Sequence, residues 1–307
     1  MDKKISVIVP VYGGENTIEK LAARVFDFFN EKNITGEIVF VHDCGKDNSW
    51  EIIEKIKNDN PERVTAIQLT RNFGQHNAII CGFGHASGEF FVTMDEDLQQ
   101  DPFDIDLLLK EQARGDFDVV YGKFRESNHS LFRKLTSSAL KALLRAGLPG
   151  LHRDYSPLRL IKREIALLTR DMNNSYTFLD GYLTWVTNSV SSIEVSHSRR
   201  LAGKSSYNLA RLINHTLNIF FTFSDLPIRI LTYLSVIIFA LSGLYSLITL
   251  IRKFFLNDLI EGWASLIIVT GFGTGLIMLG LGITGEYIHR INLKSTKRPN
   301  YIERKNI

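Results

Sequence analysis

Three carboxylates in a row, Asp95-Glu96-Asp97, stand directly after the apolar run Phe90–Met94. A β-strand ending there projects them at its C-terminal edge, and strand alternation sends Asp95 and Asp97 to one side. Two hard oxygen ligands on one side can share a Mg²⁺ or Mn²⁺ ion. Such a cation bridges a diphosphate and neutralises the charge that grows on it as a leaving group. An Asp-x-Asp pair also suits a solvated acidic turn, so it needs context. Three glycine-containing stretches supply none. Gly82-Phe83-Gly84-His85-Ala86-Ser87-Gly88 imitates a dinucleotide loop, yet it ends a helical pattern instead of following a strand. Gly203-Lys204-Ser205 imitates the end of a phosphate loop, but position 198, where that loop needs glycine, is Ser198. Gly13-Gly14 follows a strand without a third glycine. None supports a dehydrogenase or an ATPase.

The elements that must position these groups are legible in the hydrophobic spacing. Ile5–Val11 is a near-continuous apolar run rich in β-branched residues, as a strand buried on both faces requires. Ile18, Leu21, Ala22, Val25, Phe28 and Phe29 then recur at helical spacing. Strands follow at Ile38–Val41, Thr65–Leu69, Phe90–Met94 and Val119–Tyr121, separated by helices at Trp50–Ile56, Asn77–His85 and Ile105–Ala113. This alternation predicts an α/β fold with a mostly parallel sheet and helices on both faces. Ligands of such sheets bind beyond the carboxyl ends of the strands. The polar clusters Tyr12–Glu15, His42–Asp47, Arg71–Gln75 and Asp95–Asp101 fall at those ends.

Composition excludes several classes. With 307 residues the chain has room for about two domains. Lys+Arg 36 against Asp+Glu 33 leaves +3, too balanced for a protein held to nucleic acid by phosphate contacts. Hydrophobic residues at 45% exclude a disordered chain. Cys44 and Cys81 are too few for a disulfide scaffold and read as small buried residues in a reducing compartment. The N-terminal apolar run is too short for a signal peptide.

The second part of the chain is of another kind. Ile230–Ile251 and Gly262–Gly285 are runs of 22 and 24 residues without a charge. At ~1.5 Å per residue, either helix exceeds a ~30 Å hydrocarbon core, and neither has a polar face. Two membrane spans are predicted, and the glycines of the second suit close helix contact, a route to a homo-oligomer. The tail after Gly285 carries Arg290, Lys294, Lys297, Arg298, Arg304 and Lys305 against Glu286 and Glu303. The positive-inside rule puts that tail, and with two crossings the front domain, in the cytoplasm. Leu131–Leu148 reads as a basic amphipathic helix suited to the headgroup plane, and Leu209–Phe223 would lead the chain into the bilayer.

Taken in order, Ser6-Val-Ile-Val-Pro-Val-Tyr12, Val41-His-Asp-Cys-Gly-Lys-Asp-Asn-Ser49, Arg71-Asn-Phe-Gly74 and Met94-Asp-Glu-Asp-Leu-Gln99 resemble the family 2 glycosyltransferases. The likeness is greatest to the polyprenyl-phosphate group, which contains dolichol-phosphate mannose synthase and bacterial undecaprenyl-phosphate sugar transferases. It runs on through Asp154-Tyr-Ser-Pro-Leu-Arg-Leu160 and His197-Ser-Arg-Arg-Leu-Ala-Gly-Lys-Ser-Ser-Tyr207 to the paired membrane helices. The resemblance implies a GT-A type sheet over residues 1–225, then a two-helix transmembrane hairpin and tail over 226–307. It implies a nucleotide-sugar donor, UDP-linked, a polyprenyl phosphate acceptor, and a Mg²⁺ or Mn²⁺ cofactor. By the same resemblance, Pro10, Tyr12 and Asp43 line the nucleotide, and Asp95, Asp97 and Gln99 hold the metal. Arg200 reaches the donor diphosphate, Arg125 and Arg133 the acceptor phosphate, and Asp154 is the catalytic base.

Some positions depart from the family pattern. Gly13-Gly14 replaces Asn-Glu after the first strand, leaving open whether Glu15 takes over the base contact. Pro157 stands where relatives carry a small or acidic residue, and Asp154 also suits the N-cap of a helix over Leu158–Leu168. A processive synthase is disfavoured, since Gln-x-x-Arg-Trp is missing and two spans make no translocation pore. A non-catalytic membrane scaffold on a degenerate sugar-nucleotide fold is the rival from another class.

Overall fold

The computed structural model describes residues 4–124, 148, 150–172, 174, 176–196, 209–256, 262–295 and 299–307. Strand β1 (Ile5–Val11) is buried along its whole length because parallel strands flank it and helices cover both faces of the sheet. It runs beside β2 (Gly36–His42) from Ile5↔Gly36 to Val11↔His42, and beside β4 (Phe90–Thr93) from Ile5↔Phe90 to Ile8↔Thr93. β3 (Val64–Leu69) extends the parallel set beyond β2. Helices α1 (Ile18–Glu31), α2 (Ser49–Asp59), α3 (Gln75–His85) and α4 (Ile105–Gly115) alternate with these strands as the spacing predicts. Gly82 and Gly84 lie inside α3, as their helical context required. A Cβ on Gly82 would stand 2.5 Å from Ile8 Cγ2, so glycine lets α3 lie directly on β1.

The complete sheet is mixed: most of its strands run in one direction, as expected, and two run against them. Its order is β7 (Val190–Val195), β5 (Val119–Phe124), β6 (Arg159–Lys162), β4, β1, β2, β3 and β8 (Glu303–Asn306). β6 (Arg159–Lys162) enters antiparallel between β4 and β5 (Val119–Phe124), and β7 (Val190–Val195) lies parallel to β5. The predicted helix over Leu158–Leu168 is therefore a strand followed by a shorter helix, α5 (Arg163–Arg170). Sheet pairing on both edges outweighs the local helical pattern there, and Pro157 favours extended backbone just before it. Behind β6 lies a buried ion pair, Arg159 Nη1 to Asp180 Oδ1 at 3.3 Å. Asp180 belongs to α6 (Leu179–Val186) and also accepts from the Tyr121 hydroxyl at 3.0 Å. Burial pushes the Asp180 carboxyl up, against the pull of Arg159.

After the sheet come α7 (Leu209–Phe223), α8 (Leu226–Leu256) and α9 (Trp263–Ser295). The two uncharged runs fall on α8 and α9. Among the described residues no single helix is long and apolar enough to count as a membrane span. One pair bent by 72°, Thr216–Phe223 with Leu226–Ile238, has the length and apolar composition only when the two helices are taken together. Large apolar side chains stand out on both long helices, among them Tyr233, Val236, Leu241, Leu266, Ile277 and Leu281. The foot of α9 is fixed to α7: Tyr287 donates to Ser224 O at 2.8 Å, and Arg290 donates to Thr222 Oγ1 at 2.6 Å.

The tail then returns to the sheet. β8 (Glu303–Asn306) pairs antiparallel with β3, and Ile307 and Ala66 exchange backbone hydrogen bonds at 3.0 Å in both directions. No local strand signal marks this segment, because ERKN has neither alternation nor β-branched residues.

At the opposite end of β1 and β2, Glu37 is buried and its Oε1 accepts from Ser6 Oγ, Ser87 Oγ and Ser87 N at 2.6–2.7 Å. Burial opposes its ionisation, but Ser6, Ser87 and Lys4 outweigh burial and hold the carboxyl below its ordinary value. A folded-state pKa below the unfolded one contributes stability above the unfolded value and loses it as pH falls through the folded one. Glu37→Gln should therefore be destabilised relative to the parent near pH 7, with the gap narrowing below pH ~4. Urea unfolding across that range checks this; a gap independent of pH would refute it.

Candidate active site

The carboxyl ends of β1, β2 and β4 meet at one edge. β4 stops at Thr93, and the chain turns at once, with Leu98 at φ 59°. The acidic triplet thus sits in a turn and not on a strand, so strand alternation does not set its directions. Glu96 points inward, where its two oxygens accept from Tyr12 N at 3.2 and 3.3 Å. Burial raises the Glu96 carboxyl to about 7; the Tyr12 amide opposes this, while Asp95, Asp97 and Asp47 add to it. Asp95 and Asp97 are partly buried beside it. Asp95 Oδ1 accepts from Gln75 Nε2 at 2.5 Å, and Asp97 accepts from the backbone N–H and side-chain amide of Gln99.

The expected nucleotide contacts fare differently. Tyr12 is 52% exposed, its ring open to the edge. Pro10 is buried in β1 opposite Val41, beneath the edge and not at its surface. It lies two residues past Ile8, the last β1 residue paired with β4, so its missing N–H breaks no ladder bond there. Asp43 is buried as well. It is 3% exposed, and its oxygens accept from Phe73 N at 2.6 Å and Gly74 N at 2.8 Å. Its carboxyl is pushed up by burial, with those two amides opposing. Asp43 therefore holds the Arg71–Gly74 loop against β2. Glu15 Oε2 accepts from Asn48 N at 3.2 Å, and Glu15 N donates to Asp47 Oδ2 at 3.0 Å, tying the loops after β1 and β2 together.

Asp154 stands toward the β5–β7 side. Its Oδ2 accepts from Ser192 Oγ at 3.1 Å, and Lys123 Nζ lies 3.5 Å from its Oδ1. Its backbone N–H donates to His152 Nδ1 at 3.2 Å, and the His152 ring stacks on Tyr121. Arg125, Arg133 and Arg200 lie outside the described residues, as does the predicted amphipathic helix apart from Leu148.

Four groups were missed by sequence reasoning. Gln75 was legible only as part of a polar cluster, and Lys123 and Ser192 carried no motif. His42 is 2% exposed, and neither ring nitrogen has a hydrogen-bond partner among the described residues. Burial lowers its pKa, against Asp47 and Glu51. Its Nε2 would lie 3.3 Å from a Cβ on Gly45, a point also 3.2 Å from Gly13 N, so the two loops close over it without room for a side chain at 45.

This arrangement has known counterparts. The family model described as glycosyl transferase family 2 matches residues 6–172. The chain is 32% identical to the bactoprenol glucosyl transferase of Shigella phage SfV, over 97% of this chain and 97% of that one. It is also 32% identical to the undecaprenyl-phosphate 4-deoxy-4-formamido-L-arabinose transferase of Pectobacterium carotovorum subsp. carotovorum (strain PC1), over 99% and 94% of the two chains. In fold it is similar to glucosyl-3-phosphoglycerate synthase from Mycobacterium tuberculosis in complex with phosphoglyceric acid. That match has a TM-score of 0.53 at 17% identity and covers 71% of this chain and 79% of the other. A second structure of that synthase, with Mn²⁺, uridine-diphosphate-glucose and phosphoglyceric acid, gives a TM-score of 0.51 at 17% identity, over 71% and 78%. The sheet and its helices are thus of GT-A type.

The Asp43 geometry yields a test. Asp43→Asn leaves one of two buried amides facing an NH₂ group instead of an acceptor, which costs about 1–3 kcal/mol. Amide exchange at Phe73 and Gly74 should quicken more than elsewhere in the sheet. Unchanged exchange at both amides would mean the loop is held by other contacts.

Proposed function

The chain belongs to glycosyl transferase family 2, and on that premise we propose that it moves one sugar from a nucleotide-diphosphate donor to a polyprenyl phosphate at a membrane surface. The observation that carries this reading is the extent of the similarity to bactoprenol and undecaprenyl-phosphate sugar transferases. It covers the GT-A sheet and also the long helices and returning tail behind it. In the proposed step a phosphate oxygen of the lipid attacks the anomeric carbon as the bond to the nucleotide diphosphate breaks. The electron pair leaves with the diphosphate, and one displacement inverts the centre. A lipid phosphate is already largely anionic near pH 7, with a second pKa of ~6, so it needs alignment more than deprotonation.

Asp95 and Asp97, with Gln99 alongside, offer the oxygen donors that suit Mg²⁺ or Mn²⁺, and Glu96 is turned away to Tyr12. Two protein carboxylates with substrate phosphates completing the shell is the usual arrangement for such ions. When bound, the cation stabilises charge on the departing diphosphate. Tyr12 presents its exposed ring to the base, and Glu15 closes the loop beside it. Asp154 orients the acceptor or takes a residual proton, with Lys123 and Ser192 fixing its carboxylate. Arg125 and Arg133 bind the acceptor phosphate and Arg200 the donor diphosphate, roles that suit planar, charge-assisted forks.

The exposed aliphatic side chains of α8 and α9 support a membrane hairpin, since a water-facing surface of that kind is unfavourable. Pairing of β8 with β3 adds a constraint. Glu303–Asn306 share a sheet with the acidic turn, so the helices between can cross a bilayer only an even number of times. This supports a hairpin with the sheet and tail together on the cytoplasmic side, and with residues 1–225 as the catalytic domain.

Two experiments test the reading. Purified enzyme with polyprenyl phosphate and a panel of nucleotide sugars should form a lipid-linked sugar, and a chelator should stop it. Asp97→Asn should lower transfer by roughly 10²–10³-fold with unchanged unfolding behaviour; full activity of the variant would remove Asp97 from the metal site. For topology, a single cysteine at Asn257 in a cysteine-free background should react with a membrane-impermeant thiol reagent in intact cells. One at Asn300 should react only after lysis, and labelling of Asn300 from outside would overturn the proposed orientation.

A further inference from the structure

We propose that Cys81, His85 and Glu303 form a binding site for a zinc-class divalent cation, which fastens the returning C-terminal strand to α3. Cys81 and His85 are four residues apart on α3 and so share one face of the helix. Glu303, the first residue of β8, meets that face from the far end of the chain. Its Oε1 lies 2.8 Å from His85 Nε2 and 3.6 Å from Cys81 Sγ, and one ligand atom from each of the three residues fits within 4.8 Å. Around a tetrahedral zinc, with Zn–S near ~2.3 Å and Zn–N or Zn–O near ~2.0–2.2 Å, ligand atoms stand roughly 3–4 Å apart. The observed separations, from 2.8 Å to no more than 4.8 Å, bracket that spacing.

The donor set points to the kind of ion. A thiolate and an imidazole beside one carboxylate suit zinc, whereas Mg²⁺ and Mn²⁺ prefer the oxygen-only groups of the acidic turn. The ring has an outer partner as well. Asn306 Nδ2 lies 3.1 Å from His85 Nδ1, and the turned amide would accept from Nδ1–H, leaving Nε2 free to ligate. The two sites are also separate in space. α3 begins at Gln75, which contacts Asp95, and ends at His85, about 15 Å further along its axis. A cation at the far end is therefore structural, and its effect is on the docking of β8. Without it, the same groups hydrogen-bond to one another.

The test uses the full chain in detergent, stripped of metal and dialysed against zinc, with metal per chain measured by mass spectrometry. About one zinc per chain should be retained, and retained equally by Cys44→Ser and Asp97→Asn. Cys81→Ser and Glu303→Gln should each weaken zinc binding by at least ~10-fold. The cobalt-substituted protein should show a thiolate-to-cobalt charge-transfer band that Cys81→Ser abolishes. Zinc should also slow exchange of the Ile307 amide, which bonds to Ala66. Should Cys81→Ser fail to fold, the partly exposed His85→Gln and Glu303→Gln variants decide the matter. Zinc binding undiminished in those variants, or a cobalt spectrum without the thiolate band, would overturn the proposal.

Discussion

Carboxylates crowd the carboxyl ends of β1, β2 and β4, and like charges so close must be held together without being cancelled. Lysine or arginine partners would neutralise them and leave nothing to attract a cation. Backbone amides do the holding instead. Tyr12 N serves Glu96, Phe73 N and Gly74 N serve Asp43, Glu15 N serves Asp47, and Asn48 N serves Glu15. An N–H dipole stabilises a carboxylate while adding no net charge, so the edge keeps its negative field. Each of these bonds also joins two different loops. The groups that create the field are thereby the groups that fix its shape.

The other half of the site depends on β6. Its insertion between β4 and β5 carries Arg159 into the core beneath Asp154's side of the sheet edge. There Arg159, Asp180 and Tyr121 join β6, α6 and β5 through one buried charge pair and one hydroxyl. Such a pair contributes little net stability, since desolvation offsets most of its Coulomb energy, but losing either partner is severe. The Tyr121 ring in turn supports His152, whose Nδ1 accepts from the backbone of Asp154. The carboxylate nearest the proposed acceptor is thus positioned from below by groups that never reach the surface.

Much of this was legible in the sequence, and the parts that were not share a cause. The parallel strands and their helices announce themselves because burial on both faces demands unbroken apolar runs and a 3.6-residue period. Asp95 and Asp97 were legible because they follow such a run. β6 and β8 were not, because their strand character comes from neighbours far away in sequence. RLIK and ERKN contain no local pattern that requires a sheet. The inward turn of Glu96 and the engagement of Asp43 with the Phe73–Gly74 amides were equally hidden. In a row of acidic residues, only the three-dimensional position of an N–H decides which one faces solvent.

The return of the tail has a consequence for the order in which the molecule is made. The ribosome releases β3 long before β8, which follows both long helices. Until β8 emerges, the β3 edge exposes a row of unpaired amides and carbonyls, the kind of template on which other strands add. Closure of this edge of the sheet therefore waits until α8 and α9 have been made. Whatever receives those helices as they leave the ribosome also sets how long the nascent sheet remains open to misassembly.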